Sequence, residues 1–227
     1  MSEDGDLEVV EVQTSATADA AVIWLHGLGA DGYDFVPIVR ELQSLGAPPA
    51  RFVFPHAPQR PITINGGYVM RGWYDIADAQ LVRQEDADGI RQSQRQVERL
   101  IAREVGRGIP PGRIVLGGFS QGGAITLQAG LRATVPLAGL AALSGYLPLA
   151  ATLAGERSAA AAATPVFMAH GTSDPIVSIE RGTASRDQLL ELGMAVEWHT
   201  YPMEHSVCAE ELRDLVNFLG RILPPLR

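Results

Sequence analysis

The chain carries one cysteine, Cys208, among 227 residues. That excludes an internal disulfide and a thiolate-rich metal site, and it agrees with a reducing compartment. Positive charge is in deficit: 18 Lys and Arg stand against 26 Asp and Glu, for a formal net charge of -8. With no basic stripe to neutralise phosphates, neither nucleic acid nor an anionic membrane surface is an expected partner. No apolar run approaches the length of a membrane span, so stable membrane insertion is not expected either. The start, Met1-Ser2-Glu3-Asp4-Gly5-Asp6, is acidic where a secretory signal would be basic and then apolar, so a cytoplasmic address is expected. No two histidines have the spacing a catalytic zinc needs, so no metal is expected, and no internal repeat is visible.

What is present is apolar sequence in short, punctuated blocks. At 46% hydrophobic the chain can bury a substantial core, and its length fits one domain over 1–227, with 1–6 disordered. The β-prone blocks are 7–12, 20–25, 51–55, 113–117, 137–143, 165–170 and 195–201. The first is partly alternating, which suits an outer strand, whereas Ala20 to Leu25 is continuous and suits a central one. Between them, 33–45, 85–107, 123–129, 178–192 and 207–222 place apolar residues at helical spacing. The alanine-rich segment 150–164 reads equally as a short helix or a loop. Strands alternating with helices predict an α/β fold: a mainly parallel, twisted sheet with helices on both faces.

Residues 60–82 interrupt that alternation. Within them, Ile62 to Met70 reads as a hairpin around Asn65-Gly66, and Arg71-Gly72-Trp73-Tyr74-Asp75 as part of an irregular excursion bordering a site.

Chemistry is expected where parallel strands end. Gly118-Phe119-Ser120-Gln121-Gly122 joins a strand to a helix through a sharp turn with a serine at its apex, the geometry that presents an exposed nucleophile. A serine needs an imidazole to take its proton and a buried carboxylate to orient that imidazole. Of five histidines, His205 alone follows the last strand. His199 lies inside a strand and His56 on an early loop, while His26 and His170 precede glycines and suit local loop bracing. Asp174 ends a strand, although an Asp-Pro pair also forms turns; Asp187 and Asp214 lie on helices. The oxyanion of an acyl-transfer intermediate would be met by the backbone N–H groups of Gln121 and Leu28. Met70, Trp73 and Tyr74 could be core, or could wall an apolar slot beside Ser120 suited to short or medium acyl chains.

Four blocks taken together, His26-Gly27-Leu28-Gly29, Gly118 to Gly123, His170-Gly171-Thr172-Ser173-Asp174-Pro175 and Tyr201-Pro202-Met203-Glu204-His205, resemble the phospholipase/carboxylesterase family of α/β-hydrolases. That family includes acyl-protein thioesterases and small bacterial carboxylesterases. The resemblance implies an α/β-hydrolase fold and a cofactor-free serine hydrolase acting on small-molecule carboxylic esters, with thioesters or lysophospholipids as alternatives. It also implies Ser120, Asp174 and His205 as triad, Leu28 and Gln121 as oxyanion donors, and Arg71 to Asp75 as the border of the acyl pocket. One position departs from the family pattern, Glu204 standing where glycine usually precedes the histidine. An apolar pocket rim makes a homodimer an expectation. The reading from another class is a non-catalytic module that holds an acyl group without turnover.

Overall fold

The computed structural model describes residues 5–78 and 85–226. The expected disorder of 1–6 therefore falls mostly, and the far end of the 60–82 excursion partly, outside the described residues.

The main sheet takes its strands in the order β1 (Val9–Gln13), β3 (Arg51–Pro55), β2 (Ala21–Leu25), β6 (Ile114–Phe119), β7 (Gly139–Leu143), β8 (Val166–Gly171), β9 (Val196–Tyr201). Only the β1–β3 pairing is antiparallel; the other five are parallel. β1, the partly alternating block, lies at an edge. β2 and β6 run through the centre, where both faces are covered and continuous Val, Ile, Leu and Ala runs are required.

Alternation along β2 shows how both faces fill. Ala21, Ile23 and Leu25 point into one apolar cluster with Ile90, Val97, Leu100 and Ile101 of α2 (Ala87–Gly106) and Ala124, Ile125 and Leu127 of α3 (Gln121–Gly130). Val22 and Trp24 point into the other, with Val39 and Leu42 of α1 (Ile38–Ser44) and Leu212, Leu215, Phe218 and Leu219 of α6 (Ala209–Ile222). α5 (Ile179–Glu191) packs along β8 and β9 and places Leu189 in the first cluster.

Three local outcomes refine the sequence expectations. α1 begins later than the pattern at 33–45 suggested, with Pro37 at its N-cap, where a ring that lacks an N–H removes no helical bond. The open segment 150–164 divides into α4 (Ala150–Glu156) and a 3-10 turn at Ala161–Ala163. The hairpin forms from β4 (Gln59–Ile62) and β5 (Tyr68–Arg71), but its connection is longer than an Asn-Gly turn. A 3-10 turn at Thr63–Asn65 is followed by Gly66 and Gly67, both at positive φ. Among the described residues no helix is long and apolar enough to cross a membrane.

Candidate active site

β6 ends at Phe119 and α3 begins at Gln121, so Ser120 alone makes the turn between them. Its φ of 56° and ψ of -119° lie where side-chain-bearing residues are seldom found. Close packing over-determines that conformation. A Cβ on Gly118 would stand 2.5 Å from the carbonyl carbon of Gly122, and one on Gly122 would stand 2.2 Å from the carbonyl oxygen of Leu25. Only glycines let β2, β6 and α3 close to this distance. The Ser120 N–H donates to Leu143 O on β7 at 2.8 Å, which pins the apex to the next strand.

Two other strand ends converge on this serine. His205 follows β9, and its Nε2 lies 2.9 Å from Ser120 Oγ. His205 Nδ1–H donates to Asp174 Oδ2 at 2.6 Å, because an ionised carboxylate can only accept. Asp174 follows β8, with its side chain fully buried. Its other oxygen, Oδ1, accepts from the N–H groups of Ile176 and Val177 at 2.8 and 2.9 Å. The carboxylate is thereby fixed before it meets the imidazole. The Phe119 ring packs against His205, with centroids 4.7 Å apart.

Glu204 does not crowd this arrangement. The loop rests on Gly171, whose Cβ position would lie 2.4 Å from the carbonyl oxygens of both Met203 and Glu204. Its main chain is held by Ser173 N–H to Met203 O at 3.1 Å, and the Glu204 residue is exposed.

The remaining histidines brace structure. His26 accepts from Ala57 N–H at Nε2 (3.0 Å) and donates from Nδ1 to Gly27 O (2.7 Å), which fixes one neutral tautomer. Burial draws its pKa down to about 4. His56 Nδ1 accepts from Gly32 N–H. His199 lies between Phe167 and Tyr201 with Nε2 on Glu197. His170 Nε2–H donates to Val177 O at 2.7 Å.

Leu28 and Gln121 line the same space as Ser120. Gln121 opens α3, where a first-turn N–H has no acceptor within the helix. Around Leu28, Gly29 N–H donates to Arg71 O and Ala30 N–H to Gly27 O. Among the described residues, neither the Leu28 nor the Gln121 N–H donates to a protein acceptor. The Gln121 side chain is engaged elsewhere, with Oε1 accepting from Trp73 N–H at 2.7 Å and Nε2 donating to Tyr74 O at 2.8 Å. It thus ties the 72–75 segment to the helix that follows the serine.

A cavity of about 330 Å³ opens beside Ser120, lined also by Leu28, Ile64, Asn65, Tyr74, Ile76, Gln121, Tyr146, Pro175, Ile176 and Val177. The hydroxyls of Tyr74 and Tyr146 lie 2.7 Å apart. Burial raises both phenols, Tyr146 to about 12, so both stay neutral.

Of the three side chains expected to wall this space, only Tyr74 does so. Trp73 is fully buried away from it, with Nε1–H on His26 O at 2.9 Å and its own carbonyl taken by the Ser93 hydroxyl. Met70 stands one side chain back, its sulfur accepting from Asn65 Nδ2 at 3.5 Å. The sequence reading missed Tyr146 and the run Pro175-Ile176-Val177. Both follow strand ends, β7 and β8, and a uniform application of the strand-end rule would have found them.

A parallel sheet whose strand ends bring together a strained serine, a histidine and a buried aspartate, in that spatial order, defines a serine hydrolase of the α/β-hydrolase class. The chain belongs to the phospholipase/carboxylesterase family, whose profile matches residues 6–223. It is 46% identical over 217 residues to acyl-protein thioesterase 1 of Gibberella zeae, covering 91% of this chain and 92% of that protein. Among solved structures it resembles Arabidopsis thaliana SOBER1, with 32% identity, TM-score 0.84, and 90% of this chain and 99% of that one covered. Zea mays acyl-protein thioesterase 2 gives 29% identity, TM-score 0.84, and coverage of 95% and 99%.

Proposed function

We propose that the protein hydrolyses carboxylic esters of short to medium acyl chains, as one catalytic domain, through an acyl-enzyme on Ser120. The observation that carries this reading is the continuous contact from Ser120 Oγ to His205 Nε2 at 2.9 Å and from His205 Nδ1 to Asp174 at 2.6 Å. As Oγ attacks the acyl carbon, its proton passes to His205 Nε2, and Asp174 stabilises the imidazolium. The carbonyl oxygen becomes an oxyanion that accepts from the N–H groups of Leu28 and Gln121. Collapse breaks the bond to the leaving group, which takes the proton back from Nε2. Water then repeats the sequence, the imidazole accepting its proton, and releases the acid with Ser120 restored.

Replacing Ser120 with alanine should lower p-nitrophenyl butyrate turnover by about ten-thousand-fold or more, because members of such a unit fail together. It should also abolish labelling by a fluorophosphonate probe. Retained turnover would sink the assignment, and a wild-type protein that binds esters but resists the probe would favour the non-catalytic reading. A rate series of p-nitrophenyl esters from acetate to palmitate tests chain length, and an optimum at palmitate would refute it.

Thioesters are the second reading. Relatives named acyl-protein thioesterase favour it, and the same proton transfers serve a thiolate leaving group. Competition between an acyl thioester and its oxygen ester separates the two. A cytoplasmic location is supported by the single free thiol, and fractionation of the source cells checks it. Homodimerisation is supported by exposed Ile64 and Ile176 on the cavity wall and by exposed Tyr68 and Val69 of the adjoining hairpin; light scattering showing only monomer would remove it.

A further inference from the structure

Asp174 has a second imidazole beside it. His170, near the end of β8, is fully buried, and its Nε2 lies 3.6 Å from Asp174 Oδ2. That is too long for a hydrogen bond, and the Nε2 proton is committed elsewhere, to Val177 O at 2.7 Å. The same Val177 residue donates its N–H to Asp174 Oδ1 at 2.9 Å. His170 therefore grips the far side of the residue that holds the carboxylate, and the turn from 174 to 177 is closed at both ends.

The tautomer follows from these partners. A carbonyl only accepts, so Nε2 carries the proton. Nδ1 has no hydrogen-bond partner among the described residues. Gly182 of α5 is packed against it so closely that a Cβ there would lie 2.5 Å from Nδ1. The groups facing the ring are Asp174, His205, Glu180 of α5 and Trp198 of β9. Burial, the largest influence, lowers the pKa of His170, so the ring stays neutral. A neutral neighbour does not compete for the charge of Asp174, which remains available to the imidazolium that forms at His205.

We propose that His170 is a positioning residue: through Val177 it fixes the Asp174 carboxylate, and as a neutral imidazole it reserves that carboxylate for His205. This rests on the ester-hydrolase reading above. Gln places a neutral N–H where Nε2 stood, whereas Leu fills the space with no donor, so the two variants separate the hydrogen bond from packing. His170→Leu should lower kcat on p-nitrophenyl butyrate roughly tenfold to hundredfold, as small misplacements of reacting groups do, and more than it raises KM. With Asp174 loosened, the His205 imidazolium is less stabilised, so the acid limb of the kcat/KM profile should move to lower pH. His170→Gln should return most of kcat and the position of that limb.

Equal losses in both variants, or a Leu variant with unaltered kcat and acid limb, would overturn the role. Should either variant fail to fold, ¹⁵N NMR of the histidine rings in the wild-type protein decides. A neutral His170 protonated at Nε2 at pH 7 and above supports the proposal; a charged ring at pH 7, or a proton on Nδ1, overturns it. Wild-type protein inert toward the ester would instead remove the hydrolase reading, while an active wild type with indistinguishable variants removes only the role of His170.

Discussion

The two sides of the cavity are held by different means. On the nucleophile side, Gly118, Gly122 and Leu25 meet backbone to backbone, and the geometry of Ser120 is set by sterics. On the opposite side, the 59–78 segment is held by individual polar contacts. Gln121 spans Trp73 and Tyr74, Trp73 donates to His26 O, and Asp75 accepts from Thr63 N–H at 2.7 Å and from Thr63 Oγ1 at 2.5 Å. Sterics of the first kind admit no partial loss, whereas contacts of the second kind can be lost singly. The chemical half of such a site is therefore brittle and the binding half adjustable.

The sterically set side is most vulnerable at Gly122. A Cβ there meets three backbone atoms within 2.6 Å, so Gly122→Ala should cost about 4 kcal/mol or more, at the severe end of single substitutions. Urea unfolding and ester turnover should fail together; a stable, active Gly122→Ala protein would show that the elbow can relax.

A middle-sized effect is expected at His26, where the two sides join. Its imidazole is neutral in the fold with a pKa of about 4, against an ordinary value of 6.5. Above 6.5 neither folded nor unfolded chain protonates it, and the stabilisation is complete. As pH falls from 6.5 toward 4 the unfolded chain gains the proton first, and stability drops by an amount on the order of 3 kcal/mol. His26→Asn keeps a donor at the Nδ1 position without titrating. It should flatten urea midpoints measured between pH 7 and 4, and an unaltered slope would place the acid sensitivity elsewhere.

The smallest effect belongs to the hairpin. Thr63→Val removes one exposed hydroxyl contact to Asp75 and should change stability by less than about 1 kcal/mol. KM for the longer esters should change more than kcat. A larger fall in kcat than rise in KM would mean that the hairpin takes part in the chemistry rather than in binding alone.

The sheet and its helices were legible because local pattern and tertiary burial agree there. The run Ala20 to Leu25 is apolar at every position because both of its faces are covered, and Ile90, Val97, Leu100 and Ile101 form the stripe that α2 buries. Ser120, Asp174 and His205 were each marked by a strand end, so the geometry of the parallel sheet could gather them across up to 85 residues of sequence. The cavity wall was less legible. Trp73 and Tyr74 are neighbours in a bend just past β5, where no regular alternation fixes which of the two side chains reaches the cavity. Which one did so depends on His26 O and Ser93, partners that lie 47 and 20 residues away. Tyr146 and Ile176 lie on irregular loops just past β7 and β8, where the strand end marks the neighbourhood but no periodicity says which side chains turn inward. Glu204 was ambiguous for the same reason: the side-chain direction of that loop is set by Gly171, on a different strand.

The order of the chain carries a kinetic consequence. Ser120 is in place in the chain once β6 and the start of α3 have been made, whereas its base lies beyond β9, the last strand in sequence. A chain still leaving the ribosome can therefore present its nucleophile before it has anything to activate it. Such a nascent chain should be chemically silent, and ester turnover should begin only once the chain through β9 and His205 has emerged and docked on β8.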